Sequence, residues 1–273
     1  PNMPQTYFLK NILCNTKFRT LTGTNGRGRM IWDRDRKDHH ESSYLSNLCP
    51  TWPLPGHRAF GHKVATSMAR FNIRRLILAS TSPRRRQLMP LLGIPFLIKS
   101  DHVAEQRWPE EPPTEYVLRI SQAKALAIPQ VRSDELVVAA DTTVVLDGDI
   151  LEKPKDREEA IQMLSRLRGR AHVVDSGVAV WHPASQYLVC ELSESQVWMQ
   201  DYTESEIVQY VATGDPLDKA GAYAIQHPIF DPVVSVDGCW LTVMGFPLCH
   251  LSRALARFGV VVPANVPGAC QAF

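Results

Sequence analysis

The sequence predicts an α/β fold, and three features of its pattern support this prediction. Short apolar runs suited to buried strands alternate with segments of helical period from Arg74 onwards. An Asp-Gly pair, Asp147 and Gly148, predicts a two-residue hairpin that turns one strand back on the next. Longer strands are expected from about Ala171 to Met199.

The first elements are predicted to be a strand, a turn, a helix and a second strand. RRLILAS forms the first strand, and Ser82 and Pro83 supply an N-cap and a first-turn proline for a helix through Leu92. Gly93 ends that helix, and IPFLI is the next strand. The folded domain is therefore expected to begin at Arg74.

A second helix and a third strand follow. The helix is predicted to open at Thr114, and its apolar face consists of Tyr116, Ile120, Ala123 and Ala127. ELVVAAD then forms a strand that is expected to end at Asp141, just before the hairpin.

Three further helices are predicted after the hairpin. The first two have the polar starts of capping boxes, at Asp156 with Glu159 and at Thr203 with Glu206. Each of the three presents an apolar stripe of helical period. The stripes are Ala160, Met163, Leu164 and Leu167; Ile207, Tyr210 and Val211; and Leu248, Leu251, Leu255 and Phe258.

The chain is expected to divide into three parts. Residues 1–73 carry the basic excess of a protein whose formal net charge is +2, and they lack a sustained apolar period. They are predicted to be a poorly ordered extension, while residues 74–260 form the folded domain and residues 261–273 a loose tail. The extension contains no recognisable nucleic-acid-binding motif, so nucleic acid is not an expected partner.

Composition favours an ordinary globular protein, because 44% of the 273 residues are hydrophobic and 21% are charged. No apolar run is long enough to cross a membrane and no secretory signal is recognisable, so a cytoplasmic location is expected. The six cysteines are scattered without a CxxC pair, which favours free thiols. The spacing of Cys49, His57 and His62 matches no structural zinc pattern.

The segment ASTSPRRR, residues 79–86, is the first candidate site. A strand ends and a helix begins here, so free backbone N–H groups, hydroxyls and arginines meet in one place, which suits phosphate binding. The alternative is a capped helix with a solvated basic face, since Ser-Pro is a common helix start.

Two later segments also carry candidate functional groups. Asp141, at the predicted strand end, and Lys153, after the hairpin, are expected to converge. A carboxylate there can hold a metal or take a proton from water, and a lysine can neutralise phosphate charge. A strand-terminal Asp is equally common as a turn residue. The loop DPLDKAGAYAIQ, residues 215–226, holds more polar groups than a connector requires.

Together the three segments resemble the Maf family of nucleotide pyrophosphatases. LILASTSPRRRQLMPLLGI, ADTTVVLDGDILEKPKDREEAIQML and GDPLDKAGAYAIQ are similar to its motifs and stand in the same order. The resemblance implies the Maf/Ham1-like (inosine triphosphate pyrophosphatase-like) fold, an elongated mixed sheet flanked by helices, in two lobes with a central cleft. It also implies a homodimer that uses Mg²⁺ or Mn²⁺ to hydrolyse a nucleoside triphosphate to the monophosphate and pyrophosphate.

The resemblance assigns roles to individual residues. Asp141 matches the general base, and Lys124 and Lys153 match catalytic lysines that neutralise charge. Glu105 and Asp218 match acidic residues near the metal or base. The positions that match substrate-binding residues are Ser82, Arg84, Arg85, Thr142, Lys219 and Gln226.

Arg84, Thr142 and Gln226 resemble the family branch that acts on dTTP and UTP. A Thr hydroxyl and a Gln amide can pair with the edge of uracil or thymine, and a small pocket lined by them would exclude a purine. Departures from the family pattern leave the proposed catalytic groups in place; they are Ala104, Glu152, Gln87 and the segment HPIFDPVVSVDGCW.

The main alternative is a nucleotide-binding regulator of cell division that turns over no substrate. Such a binder could lose the carboxylate at Asp141 and still keep the phosphate-binding turn. The sequence retains both, which favours an enzyme.

Overall fold

The computed structural model describes residues 71–263 and Val266. Its strands are β1 Arg75–Ala79, β2 Phe96–Lys99, β3 Glu135–Leu146, β4 Asp149–Leu151, β5 Ala171–His182, β6 Tyr187–Met199 and β7 Val233–Gly238. Its helices are α1 Pro83–Leu88, α2 Pro113–Leu126, α3 Arg157–Leu167, α4 Glu204–Ala212, α5 Trp240–Val243 and α6 Leu248–Ala256. The predicted α/β class is confirmed.

The described strands form one mixed sheet in the order β2-β1-β3-β5-β6-β7, and β4 pairs with β3 beside that path. The strands β1, β2 and β3 are parallel to one another, whereas β5, β6 and β7 are joined by antiparallel pairing. The predicted hairpin joins β3 to β4, and both of its turn residues have positive φ, 54° at Asp147 and 85° at Gly148. This geometry is the one that an Asp-Gly pair favours.

The strand that carries Asp141 does not end there, so that prediction is wrong. β3 continues to Leu146 as one strand of 12 residues. The reason is its partner, since β5 pairs with β3 continuously from Val137 opposite Trp181 to Val145 opposite Val173. Asp141 therefore lies in the middle of β3, because its backbone pairs with β5 on one side.

The other edge of β3 is interrupted near Asp141. β1 pairs with β3 only as far as Val138, and β4 begins to pair with it at Val144. Because β5 occupies the opposite edge over this whole stretch, β1 and β4 must lie on the same side of β3. Among the described strands, none consequently pairs with residues 139–143 on that side, and we call this stretch the open edge.

Of the six α-helices in the described residues, five were predicted from the sequence, whereas α5 and the strand β7 were not. Two of the predicted helices differ in detail. The helix after β1 is α-helical only to Leu88 and continues as a 3-10 turn, Met89–Leu92, because Pro90 has no N–H to donate to the preceding turn. In α2, Tyr116 and Ile120 are buried as predicted, but Ala123 and Ala127 are only half-buried. The remaining buried residues of that helix are Val117, Ser121 and Ala125. The apolar stripes of the later helices are all buried.

The two faces of the sheet are covered differently. The larger core includes alternate β3 residues such as Ala140 and Val144 together with α3, α4 and α6. The smaller core includes Ala139 of β3 and Ala125 of α2. Neighbouring residues of β3 therefore point into different cores, as strand alternation requires.

The packed part of the chain is wider than the predicted domain of residues 74–260. The Phe71 ring lies 5.4 Å from that of Phe258, and Val262 and Val266 also pack against the larger core. Both boundaries are therefore a few residues too narrow. The predicted extension up to residue 70, with Cys14 and Cys49, lies outside the described residues, as does most of the predicted tail.

Among the residues that the structure describes, Cys190, Cys239 and Cys249 are thiols, as the sequence predicts. In the same part of the chain, no helix combines the length and the apolar character needed to span a membrane.

Candidate active site

Lys124 joins two acidic residues that are distant in sequence. Its ammonium Nζ lies 2.7 Å from Asp141 Oδ1 and 2.6 Å from Glu105 Oε1. Lys124 comes from α2, Asp141 from the open edge of β3, and Glu105 from the connection between β2 and α2. The structure thus brings together three residues that the resemblance assigned to catalysis and metal binding.

Burial and nearby cations act on Asp141 in opposite directions. This residue is 7% exposed, and the loss of hydration raises the pKa of its carboxyl group, although Lys124 and Arg85 favour the charged form. A carboxylate with a raised pKa is a stronger base than one in water. Burial would also raise the pKa of Glu105, but Lys124 and Lys153 hold that pKa below its usual value.

A partly buried ion pair fixes the connection that carries Glu105. Arg119 of α2 donates to both carboxylate oxygens of Glu111, at 2.5 and 2.7 Å. Its guanidinium also lies 4.0 Å from the centre of the Trp108 ring. The Tyr116 hydroxyl donates to the backbone oxygen of Glu105 at 3.0 Å. These contacts hold the Glu105 backbone against α2, next to Lys124.

The predicted phosphate-binding turn lies where β1 ends, beside the open edge. Ser82 occupies the N-cap position of α1, but its side chain makes no capping hydrogen bond; instead its N–H donates to Ser80 Oγ at 3.2 Å. Arg84 is half-buried and Arg86 is exposed. The turn therefore leaves the Ser82 hydroxyl uncommitted to the helix.

Arg85 reaches from α1 to the open edge. Its Nε donates to Gly245 O at 2.8 Å and its Nη2 to Thr142 Oγ1 at 3.2 Å. Burial lowers the pKa of Arg85, while the nearby Asp141 opposes that shift. Thr142 and Asp141 are neighbours on β3 and point to opposite faces of the sheet. Arg85 is close to both because none of the described strands pairs with β3 at this point.

The hydroxyl proton of Thr142 is already used inside the protein. Ser176 Oγ donates to Thr242 O at 2.8 Å, which uses its single proton. In the 2.8 Å contact between the two hydroxyls, Thr142 is therefore the donor and Ser176 the acceptor. Since Thr142 also accepts from Arg85, one lone pair of its oxygen is left for a substrate.

The third motif holds its own lysine. Lys219 is 7% exposed, and its ammonium lies 2.9 Å from Asp215 Oδ1 and 2.6 Å from Asp218 Oδ1. The Tyr210 hydroxyl donates to the other Asp215 oxygen at 2.8 Å. The contacts of Asp218 and Lys219 are thus within their own loop, and the structure does not bring them to Glu105.

The loop nevertheless lies against the hairpin that leads to Lys153. Gly221 N donates to Glu152 O at 3.2 Å, and its Cα faces Val144 so closely that a Cβ there would lie 2.9 Å from Val144 Cγ1. Lys153 is exposed and lines a cavity of about 250 Å³ between β4 and α3. Gln226, at the end of the motif, is exposed as well.

Sequence reasoning missed several residues around the open edge. Glu111, Arg119 and Tyr116 position Glu105, and Ser176 and Gly245 complete the surroundings of Arg85. Only the bulky stripe of α2 gave a signal for Tyr116. The other residues acquire their roles through contacts over long sequence distances, which a local pattern does not contain.

Two carboxylates that share one ammonium also suit a divalent cation, because Mg²⁺ is commonly held by one or two carboxylates and by substrate phosphates. Glu105 and Asp141 fit that description. Within residues 71–263 no group of three or more His, Cys, Asp or Glu side chains could hold a metal ion. A cation here would therefore need oxygen ligands from the substrate or from water.

Comparison with known proteins supports the resemblance. A model of the family described as Maf-like protein matches residues 75–258. A protein named dTTP/UTP pyrophosphatase from Pelotomaculum thermopropionicum is 42% identical to this chain, and the match covers 68% of this chain and 98% of the relative. A protein of the same name from Dictyoglomus turgidum is also 42% identical, over 67% of this chain and 96% of the relative. One of the same name from Anaeromyxobacter dehalogenans is 44% identical over 71% of this chain and 98% of its own.

The solved structure of the Staphylococcus aureus Ham1 protein aligns with 46% of this chain and with 72% of the Ham1 chain. The sequence identity is 15% and the TM-score is 0.35. That similarity is too low to support an argument. The fold assignment rests instead on the mixed sheet and its flanking helices.

Proposed function

The chain belongs to the family of Maf-like proteins, and from this premise we propose that it hydrolyses nucleoside triphosphates to the monophosphate and pyrophosphate, with dTTP and UTP as favoured substrates. The observation that carries the proposal is the buried Asp141 carboxylate at the open edge, held by Lys124 and close to Arg85. An acid and several cations around one opening suit attack on a phosphate.

Asp141 acts as the general base in this proposal. Its carboxylate takes a proton from the water that attacks the α-phosphorus, and the P–O bond to the β-phosphate breaks, so that pyrophosphate leaves. Burial supports this role because it raises the pKa of Asp141 and strengthens it as a base. Lys124 keeps the carboxylate ionised and oriented.

The cations around the opening neutralise the charge of the triphosphate. Arg85 lies beside Asp141, and Arg84 precedes it on the same helix. Lys153 is near enough to lower the pKa of Glu105 from the hairpin side. Phosphoryl transfer depends mainly on positioning and on stabilisation of negative charge, and we assign these groups to that role. The uncommitted Ser82 hydroxyl can add a hydrogen bond to a phosphate oxygen.

We propose that Mg²⁺ or Mn²⁺ takes part, with Glu105 as the ligand for which the structure gives support. Such a cation would supply further charge neutralisation on the phosphates. Asp218, the other acidic residue that the resemblance indicates, is paired with Lys219, so its role as a ligand stays a prediction. A substrate contact by Lys219 stays a prediction for the same reason.

The preference for a pyrimidine base rests on Thr142 and Gln226. The remaining lone pair of the Thr142 oxygen can accept a hydrogen bond from the N3–H of uracil or thymine. The Gln226 amide is exposed and makes no hydrogen bond within the described part of the chain, so it is available to the base. We expect UTP, dTTP and 5-modified relatives such as pseudouridine triphosphate to be hydrolysed at least about tenfold more efficiently than ATP, GTP or 7-methyl-GTP.

The test is a panel of these triphosphates with Mg²⁺ and with Mn²⁺, in which the products are identified and kcat/KM is measured. Release of orthophosphate would contradict the proposed cleavage position. A preference for ATP or 7-methyl-GTP would contradict the base assignment and leave the reaction intact. Tight binding without turnover would favour the alternative of a nucleotide-binding regulator.

A cytoplasmic homodimer is the assembly and location that the family resemblance implies. Light scattering during gel filtration measures the oligomeric state directly, and a monomer that retains full activity would contradict the expected homodimer.

A further inference from the structure

A directed chain of hydrogen bonds runs from Arg85 into the larger core. Arg85 Nη2 donates to Thr142 at 3.2 Å, Thr142 donates to Ser176 at 2.8 Å, and Ser176 donates to Thr242 O at 2.8 Å. The chain connects α1, β3, β5 and α5. Ser176 and Thr242 are both fully buried, so this end of the chain is fixed in the core.

A second contact holds the same guanidinium from the side of Gly245. Its carbonyl oxygen accepts from Arg85 Nε, and its φ of 87° lies in the region that favours glycine. A Cβ at this position would lie 3.0 Å from Thr142 Oγ1 and 3.6 Å from Arg85 Nη2. Glycine here therefore allows the backbone to approach both partners.

Neutral oxygens hold Arg85, and this has an electrostatic consequence. Among the ion pairs of residues 71–263, none includes Arg85, although Asp141 is close enough to influence its pKa. A guanidinium fixed by carbonyl and hydroxyl oxygens keeps its positive charge for an anion, whereas one paired with a carboxylate would not. Its position is set before substrate binds, which reduces the entropy lost on binding.

We propose that Ser176 and Gly245 are positioning residues that hold the Arg85 guanidinium at the open edge for the triphosphate. In this proposal neither residue touches the substrate: Gly245 holds Arg85 directly, and Ser176 holds it through Thr142. The effect on catalysis rests on the proposed function, whereas the anchoring of Arg85 is a property of the protein alone.

The first experiment measures anchoring without substrate. The Arg85 Nε–H resonance of ¹⁵N-labelled protein is assigned by its absence in Arg85→Lys, and its hydrogen-exchange rate is compared between the wild type and Ser176→Ala. The Nε–H itself donates to Gly245 O, and the Ser176 chain holds the same guanidinium through Thr142 and Nη2. We expect faster exchange in Ser176→Ala, by about threefold or more, because loss of the Ser176 link loosens Thr142 and with it the guanidinium. Ser252→Ala is the matched control, since Ser252 is another buried serine that makes one hydrogen bond, to Leu248 O.

The second experiment measures the consequence for UTP hydrolysis. Ser176→Ala is expected to reduce kcat/KM by about three- to tenfold, mainly through KM, while Ser252→Ala changes it less than twofold at a similar loss of Tm. Gly245→Ala is expected to reduce kcat/KM more than Ser176→Ala does. Its control is Gly259→Ala, because Gly259 also has positive φ, 72°, but a Cβ there would meet nothing within 4 Å.

A double-mutant cycle decides whether Ser176 acts through Arg85. In the Arg85→Lys background, Ser176→Ala should change kcat/KM less than twofold, since the contact is already lost. Losses that multiply would overturn the proposal, and so would unchanged exchange of the Arg85 Nε–H. If the wild type releases no pyrophosphate, the proposed function fails, and the exchange experiment still tests the anchoring.

Discussion

Lys124 and Lys219 each hold two carboxylates, but they do so in different ways. The partners of Lys219 are one and four residues away in the same loop. The partners of Lys124 are Glu105 and Asp141, which belong to two other segments of the chain. The local cluster can form within its loop, whereas the distant one requires the sheet, α2 and the Glu105 connection to be in place.

The surroundings of the carboxylates differ as well. In the Lys219 cluster the side chains of Asp215 and Asp218 are 37% and 65% exposed, so water can hydrate them. In the Lys124 cluster the Glu105 side chain is 46% exposed as well, but the Asp141 side chain is only 10% exposed. A buried carboxylate is costly unless it is paired, and its protonation is readily shifted. From this difference we expect the Lys219 cluster to stabilise its loop and the Lys124 cluster to take part in the proposed reaction.

The strongest test of this contrast is Asp141→Asn. We expect it to reduce the hydrolysis of UTP by a factor of about 10² or more, because the amide cannot accept the proton of the attacking water. The folded state of the variant is checked by circular dichroism and Tm. A folded variant with near-normal kcat would remove Asp141 from its role as the base.

Replacing each lysine by methionine separates the two clusters. Lys124→Met should reduce kcat/KM by at least about tenfold, since Asp141 loses the charge that keeps it ionised. Lys219→Met should lower Tm by roughly 4–8 °C, because its hydrogen bonds to Asp215 and Asp218 are lost, and it should reduce kcat/KM less than Lys124→Met does. The reverse order of the two activity losses would show that Lys219 contacts the substrate.

Local signals in the sequence were sufficient for most of the elements. The Asp-Gly hairpin, the capping box of Thr203 with Glu206 and the buried stripes of α3, α4 and α6 all follow from short-range rules, and the structure confirms them. The start of α3 differs slightly: the Asp156 side chain caps Glu159 N, but Glu159 reaches back to Lys155 N rather than to Asp156 N.

The environment of Asp141 could not be predicted in this way. A charged residue after an apolar run suggests the end of a strand, yet β5 continues the ladder past Asp141. The open edge arises because β1 ends early and β4 begins late, and both are properties of pairing between segments. The resemblance identified Glu105, Lys124 and Asp141 individually, and only the fold showed that one ammonium joins them.

A third carboxylate, Asp175, sharpens the comparison because none of the ion pairs within residues 71–263 includes it. Its residue is 2% exposed, and within the described residues neither its Oδ1 nor the Oγ1 of Thr143, directly opposite on β3, has a hydrogen-bond partner. Burial, with a smaller contribution from Glu194, raises the pKa of Asp175 to about 6. The neutral form is therefore favoured more than it is in water. Burial raises the pKa of Asp141 as well, but there Lys124 opposes the shift, and the pKa of Asp215 in the Lys219 cluster is lowered.

The smallest expected effect follows from that shift. The folded state binds the Asp175 proton more tightly than the unfolded state, whose pKa is the ordinary 3.8, so the stability contributed by this proton is present below about pH 4 and lost as the pH rises through about 6. Asp175→Asn removes the charge and should raise Tm by roughly 2–4 °C at pH 8, with the difference disappearing near pH 4. Thermal unfolding of the wild type and Asp175→Asn from pH 4 to pH 8 measures this difference in Tm.

Glu194→Gln is the control and should give a smaller rise in Tm, because Glu194 is exposed and makes only the smaller contribution to the pKa shift of Asp175. A lower Tm for Asp175→Asn at pH 8 would mean that the charged carboxylate is stabilised by a partner, as those of Asp141 and Asp215 are.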